Sequence, residues 1–135
     1  KYLPRKGETS GQVELNYSNN FRTIRYADVL LMAAEAYNKS GNDSKAQTYL
    51  NLVRRRAFGD LLHDITSTGT ALYDAILAER RLELAMEGER FFDLVRTGKA
   101  PAVLGPLGFV AGKHELFPIP QGEVDLAGLT QNPGY

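Results

Sequence analysis

The sequence predicts an all-α fold: a tetratricopeptide-like helical hairpin followed by further packed helices, with irregular extended straps at both ends. Three observations predict it. Apolar residues recur at three- and four-residue spacing over residues 23–57 and again over residues 70–98. The small and large residues of the first stretch fall on the tetratricopeptide spacing, with Leu30, Ala33, Ala34 and Tyr37 in its first helix and Ala46 and Leu50 in its second. After Gly98, prolines and glycines come too often for a long helix.

Residues 1–22 lack helical period and end in the polar Asn16-Tyr-Ser-Asn-Asn20, so they read as an extended and looped leading segment. Residues 23–135 read as a single helical domain. Its first helix carries one apolar face through Tyr26, Val29, Leu30, Ala33, Ala36 and Tyr37, and a second through Ala27, Leu31 and Ala34. Two apolar faces predict a helix packed on two sides, with Asp28 and Glu35 on the strip that remains. It closes near Ser40, where Gly41 can adopt the left-handed conformation and Asn42 or Asp43 can cap the next helix. That second helix runs to about Ala57 on Ala46, Tyr49, Leu50 and Val53. One such repeat cannot bury its own faces, so neighbouring elements must cover it.

A polar, turn-rich stretch then leads to the longest helical pattern, from Thr70 to Gly98 with a break expected at Gly88. At 100° per residue, Tyr73, Ile76, Leu77, Leu84, Phe91, Leu94 and Val95 share a stripe that also contains Arg80 and Glu87. Both charges are therefore expected at or near the interior. Seven residues separate them by about 10 Å along a helix axis, so each needs a partner other than the other. Further on, Glu115-Leu-Phe-Pro-Ile-Pro120 forces extended backbone, and Thr130-Gln-Asn-Pro-Gly-Tyr135 forms a closing strap.

Composition narrows the function. Sixteen basic and sixteen acidic residues balance, leaving no global field for a nucleic-acid partner. With no cysteine there is no disulfide framework and no thiol nucleophile. No apolar run approaches the roughly 20 residues needed to span a bilayer. The chain opens Lys-Tyr-Leu-Pro, which reads as part of something longer.

Candidate chemistry is sparse. His63 and His114 stand in different loops without metal-ligand spacing, so no metal site and no cofactor are expected. Glu79, Glu83 and Glu87 form an i, i+4 column beside Arg80, Arg81 and Arg90. Acid and base in glycoside hydrolysis flank one bond from opposite sides, whereas this column stands on one helix, so a structural ion network of Arg80, Glu83 and Glu87 is the stronger reading. No nucleophile elbow or phosphate loop is present, and no catalytic residue is expected. Loop aromatics at Tyr2, Tyr17, Phe21 and Phe109 leave room for stacking on sugars, although most aromatics sit at core spacing.

Five motifs in order carry a family resemblance: Ile24-Arg-Tyr-Ala-Asp-Val-Leu-Leu31 with Ala34-Glu-Ala36; Leu50-Asn-Leu-Val-Arg-Arg-Arg56; Ile76-Leu-Ala-Glu-Arg-Arg-Leu-Glu-Leu-Ala85 with Glu87-Gly88 and Phe92-Asp-Leu94; Leu116-Phe-Pro-Ile-Pro-Gln121; and Gln131-Asn-Pro-Gly-Tyr135. Together they resemble the C-terminal part of the SusD/RagB family. The resemblance implies a surface-exposed outer-membrane lipoprotein that binds oligosaccharide, starch-type polysaccharide included, without cleaving it and serves a TonB-dependent SusC-like transporter. Some family members capture peptides instead. It also implies a C-terminal fragment of a longer protein, with membrane contact only through a lipid anchor absent from this chain. Glu89, Phe92 and Thr97 stand where the family commonly has His, Trp and Trp, and Asp125-Leu-Ala-Gly128 replaces its Asn-Pro turn. No family ligand residue maps onto a matching motif, so the ligand-binding residues are left unassigned. The rival readings are a protein-docking helical scaffold and a glycosidase using Glu83 or Glu87.

Overall fold

The computed structural model describes residues 23–135, which contain six α-helices, one 3-10 turn and no strand among them. The leading segment, with Tyr2, Tyr17 and Phe21, lies outside the described residues. The described chain forms two compact units, divided between Ile65 and Thr66.

The first unit is the expected hairpin of α1 (Tyr26–Lys39) and α2 (Asp43–Phe58). The connection forms as its residues dictate. Gly41 takes φ +80°, which a side chain would resist, and the Asn42 side chain accepts a hydrogen bond from the Lys45 N–H at 3.1 Å. Asn38 donates to Asp43 across the turn at 2.8 Å, and Tyr37 stacks flat on Tyr49 with ring centres 5.4 Å apart. Leu31, Ala34, Ala46 and Leu50 are wholly buried. The two alanines leave no bulk to hold backbones apart, which is what the tetratricopeptide spacing requires.

The expected faces of α1 need correction. Leu30, Leu31, Ala34 and Asp28 are buried, whereas Tyr26 is 75% exposed and Val29 and Ala36 also face outward. The burying side therefore runs through the narrower of the two apolar faces, and Asp28 lies within it rather than on a solvent strip. Apolar periodicity names the faces a helix offers, not those its surroundings cover.

The turn after α2 is fastened back onto that helix. Buried Asn51 acts as a surrogate backbone group: its amide donates to the Ile65 carbonyl at 3.0 Å and its oxygen accepts from the Ile65 N–H at 2.8 Å. Arg54 donates to the His63 carbonyl at 2.6 Å, and the Arg55 fork grips the Asp64 carboxylate, with Nε 2.9 Å from Oδ1. His63 stacks on Phe58 at 4.0 Å and bonds Asp60 at 2.8 Å, a packing role.

The Arg55 hydrogen bond holds the Asp64 carboxyl below its ordinary value of 3.8, and the His63 contact lowers Asp60 similarly. A carboxyl depressed in the folded state stabilises it fully above the ordinary value and loses that contribution as pH falls through the lowered one. Acid titration followed by NMR is thus expected to leave this turn closed above pH 3.8 and release it only below. An Asp64 carboxyl titrating at its ordinary value would show the clasp to be open in solution.

The second unit contains α3 (Gly69–Glu83), α4 (Glu89–Arg96), α5 (Ala100–Leu104), a 3-10 turn (Gly105–Leu107) and α6 (Gln121–Ala127). The expected long helix is interrupted sooner than Gly88 alone would require. It stops at Glu83, Leu84 caps it, and residues 84–88 turn with Met86 at φ +69° and Gly88 at φ +91°. Leu72, Ile76, Leu77, Leu84 and Leu94 form the buried stripe, joined by Glu79 and Arg80. Because the helix ends before it, Glu87 is half-buried in the turn instead of lying at the interior.

After α5 the chain is irregular, as its prolines and glycines demand, but α6 is a short helix that spacing alone does not announce. Pro120 immediately precedes it and Gly128 ends it in the left-handed conformation. The closing strap is tied down by side chains. Gln131 both donates to the Ile119 carbonyl and accepts from its N–H, each at 2.8 Å, Asn132 donates to the Phe117 carbonyl at 2.6 Å, and the Tyr135 hydroxyl donates to the Leu116 carbonyl at 3.0 Å.

Candidate functional site

Charge in the second unit is organised around Asp93. Its carboxylate and Arg80 are each only 5% exposed, and Arg80 Nε donates to Asp93 Oδ2 at 2.9 Å. Arg96, one turn further along α4, donates to the other carboxylate oxygen at 2.9 Å. Two guanidinium groups on one buried carboxylate satisfy it on both sides, the condition under which a buried ion pair is tolerated. Arg80 and Asp93 sit on different helices, so the pair ties α3 to α4 across the intervening turn. Glu83 and Glu87 are half-buried and engaged with other groups.

Two hollows open on this unit. One, of about 300 Å³, lies between α3 and α4 over the buried Leu77 and Leu94, with Asp74, Arg81, Arg90, Asp93 and Lys99 among its polar lining. Lys99 Nζ pairs with Asp74 at 2.7 Å, so both carboxylates in the wall are occupied by cations. The other hollow, of about 530 Å³, is aromatic and open. Phe91 stands at its centre, 6.4 Å from Phe109 and 6.3 Å from Phe117, with His114 edge-on to Phe109 at 5.7 Å and Tyr135 completing the wall. His114 Nδ1 accepts from the Val110 N–H at 2.9 Å, which fixes the ring as part of the loop.

The residues singled out in the sequence are dispersed accordingly. Arg80 is interior and lines neither hollow, and Glu83 and Glu87 also line neither. Phe109 lies in the aromatic hollow, whereas the other loop aromatics named with it are outside the described residues. Among the described residues no group of three or more His, Asp or Glu is placed to hold a metal ion. Two features escaped the sequence reading. Asp93 is the partner of Arg80, visible only as part of the Phe92-Asp-Leu94 motif, and Phe91, Phe117 and Tyr135 converge from segments that share no periodicity. The first hollow has two carboxylates in its wall, Asp74 and Asp93, each paired with a cation, and the second is lined by none. The two hollows offer different surfaces: ring faces in one, guanidinium forks beside apolar side chains in the other.

The model of the SusD family matches residues 1–135. Two SusD-like proteins of Formosa agariphila are 38% and 36% identical over 124 and 133 residues, covering 86% and 87% of this chain but 25% and 26% of their own length. This chain thus spans about a quarter of the curated relatives it matches. Among solved structures, a laminarin-binding SusD-like protein superposes with a TM-score of 0.76 at 48% identity, over 90% of this chain and 24% of that one. A surface glycan-binding protein A from Bacteroides thetaiotaomicron gives 0.75 at 41% identity, over 89% and 26%. The family match over residues 1–135 and these superpositions together show that the chain belongs to the SusD family.

Proposed function

We propose that this chain supplies helical framework to a non-catalytic, surface-exposed glycan-capture protein, which hands oligosaccharide to a TonB-dependent SusC-like transporter of the outer membrane. In this reading residues 23–135 work as one C-terminal domain of a longer lipoprotein, and starch-type and laminarin-type glucans are the first ligands to try. The observation that carries the proposal is the 48% identity, over 90% of the chain, to a protein that binds laminarin. The placement of charge supports the non-catalytic part: the third helix commits Arg80 to a buried pair, and the glutamates that could act as acid or base border neither hollow. No helix among the described residues is long and apolar enough to cross a membrane, which is compatible with attachment by a lipid anchor elsewhere in the protein. Arg80, Glu83 and Glu87 serve here as a structural ion network, with Asp93 added to it.

Isothermal titration of the complete protein against glucan oligosaccharides tests the proposal, with the same mixtures assayed for new reducing ends. Binding without cleavage is expected. Release of reducing ends that disappears in Glu83→Gln would replace capture by hydrolysis, and heat from a transporter partner with none from any saccharide would leave a docking scaffold.

A further inference from the structure

The hollow between α3 and α4 carries cations that nothing in the unit employs. Arg81 from α3 and Arg90 from α4 both line it, and neither side chain makes a hydrogen bond, ion pair or ring contact with any described residue. The carboxylates in the wall are already taken: Asp74 by Lys99 at 2.7 Å, and Asp93 by Arg80 and Arg96 at 2.9 Å each. Three cations line the hollow, Arg81, Arg90 and Lys99, against the two carboxylates of Asp74 and Asp93. In a chain with sixteen residues of each sign, that excess is local, not compositional. A guanidinium is a planar fork suited to the paired oxygens of a carboxylate or sulfate, so two unemployed forks over one cavity define an oxyanion recognition element. The apolar part of the lining is Leu77, Ala78, Leu82 and Leu94, with Ala78 and Leu82 exposed and the other two buried beneath. At about 300 Å³ the hollow is at the small end of ligand sites, which run roughly 300–1,000 Å³, and it suits one ring better than a long chain.

We propose that this hollow is a subsite for an anionic sugar residue, bearing a uronate carboxylate or a sulfate ester, whose charge is held by Arg81 and Arg90 while its C–H face rests on Ala78 and Leu82. The inference rests on the glycan-capture reading and departs from its neutral glucans at one position, where the captured glycan is acidic. Because Asp74 and Asp93 keep their own partners, the incoming anion displaces no existing ion pair.

Titration of the complete protein with trigalacturonate, a sulfated galactose trisaccharide and laminaritriose tests it, in the native sequence and in Arg81→Gln with Arg90→Gln. At least one acidic trisaccharide is expected to bind ten-fold or more tightly than laminaritriose, and which one identifies the anion. The double substitution is expected to remove that preference while leaving laminaritriose binding unchanged. As a measurement independent of the variant's folding, the native protein should lose acidic but not neutral affinity as ionic strength rises from about 0.01 to 0.15 M, where screening shortens from roughly 30 to 8 Å. Equal affinity for acidic and neutral trisaccharides, or an acidic preference that survives both substitutions or added salt, would overturn the subsite and leave glycan capture standing. Binding of no saccharide at all would overturn both.

Discussion

Replacing Arg80 by methionine is expected to destabilise the second unit by about 3–5 kcal/mol, the range for breaking a buried ion pair from one side. The size follows from what remains. Asp93 is 5% exposed, and without Arg80 one of its oxygens loses a hydrogen bond of 2.9 Å. Arg96 still holds the other oxygen, but its own side chain is 42% exposed and its attraction is weakened by water. Arg80 has further contacts as well, so its loss leaves more than one group unsatisfied. Removing both partners should behave differently: Arg80→Met with Asp93→Leu takes away the uncompensated carboxylate and should recover most of the loss. Thermal or denaturant unfolding of the single and double variants decides the matter. A melting midpoint unchanged by Arg80→Met would show that the pair is solvated and contributes nothing to the framework, and a double variant no better than the single would show that Arg80 acts through its other contacts.

That pair also marks the limit of what the sequence makes legible. The stripe containing Arg80 could be read from periodicity alone, and its burial follows from the leucines and isoleucine that share it. Its partner could not, because Asp93 lies beyond a turn whose position depends on Met86 adopting φ +69° ahead of Gly88. Moving the break from Gly88 to Leu84 also takes Glu87 off the helix, which is why one of the two expected interior charges is interior and the other is not. The hairpin was easier. Gly41, Asn42 and the apolar spacing of α2 are local signals, and they delimit α1 and α2 to within a residue or two. Which face of α1 is covered is a property of its neighbours, so the burial of Asp28 and the exposure of Tyr26 had no local signal. The two hollows were the least legible: the aromatic wall joins α4, the loop after α5 and the last residue of the chain, segments that share no periodicity.

In the hairpin the largest expected effect belongs to Leu50→Ala, about 2–5 kcal/mol, the range for truncating a buried leucine. Leu50 has no exposed surface and occupies a large-residue position of the tetratricopeptide spacing, between Ala46 and Val53 on the buried side of α2. Its neighbours on that side are already small or fully packed: Ala46 has nothing to extend into the gap, and Val53 is only 2% exposed. A void left there can close only by moving one helix against the other. That movement would disturb the Tyr37–Tyr49 stack and the Asn42 cap, which favours an unfilled cavity and a cost in the upper half of the range. The contrasting substitution is Leu52→Ala on the same helix. Leu52 is 44% exposed, and its truncation should cost well under half as much. Unfolding of the two variants side by side tests whether α2 buries the face the structure assigns to it, and equal losses at Leu50 and Leu52 would mean that the helix is rotated about its axis in solution.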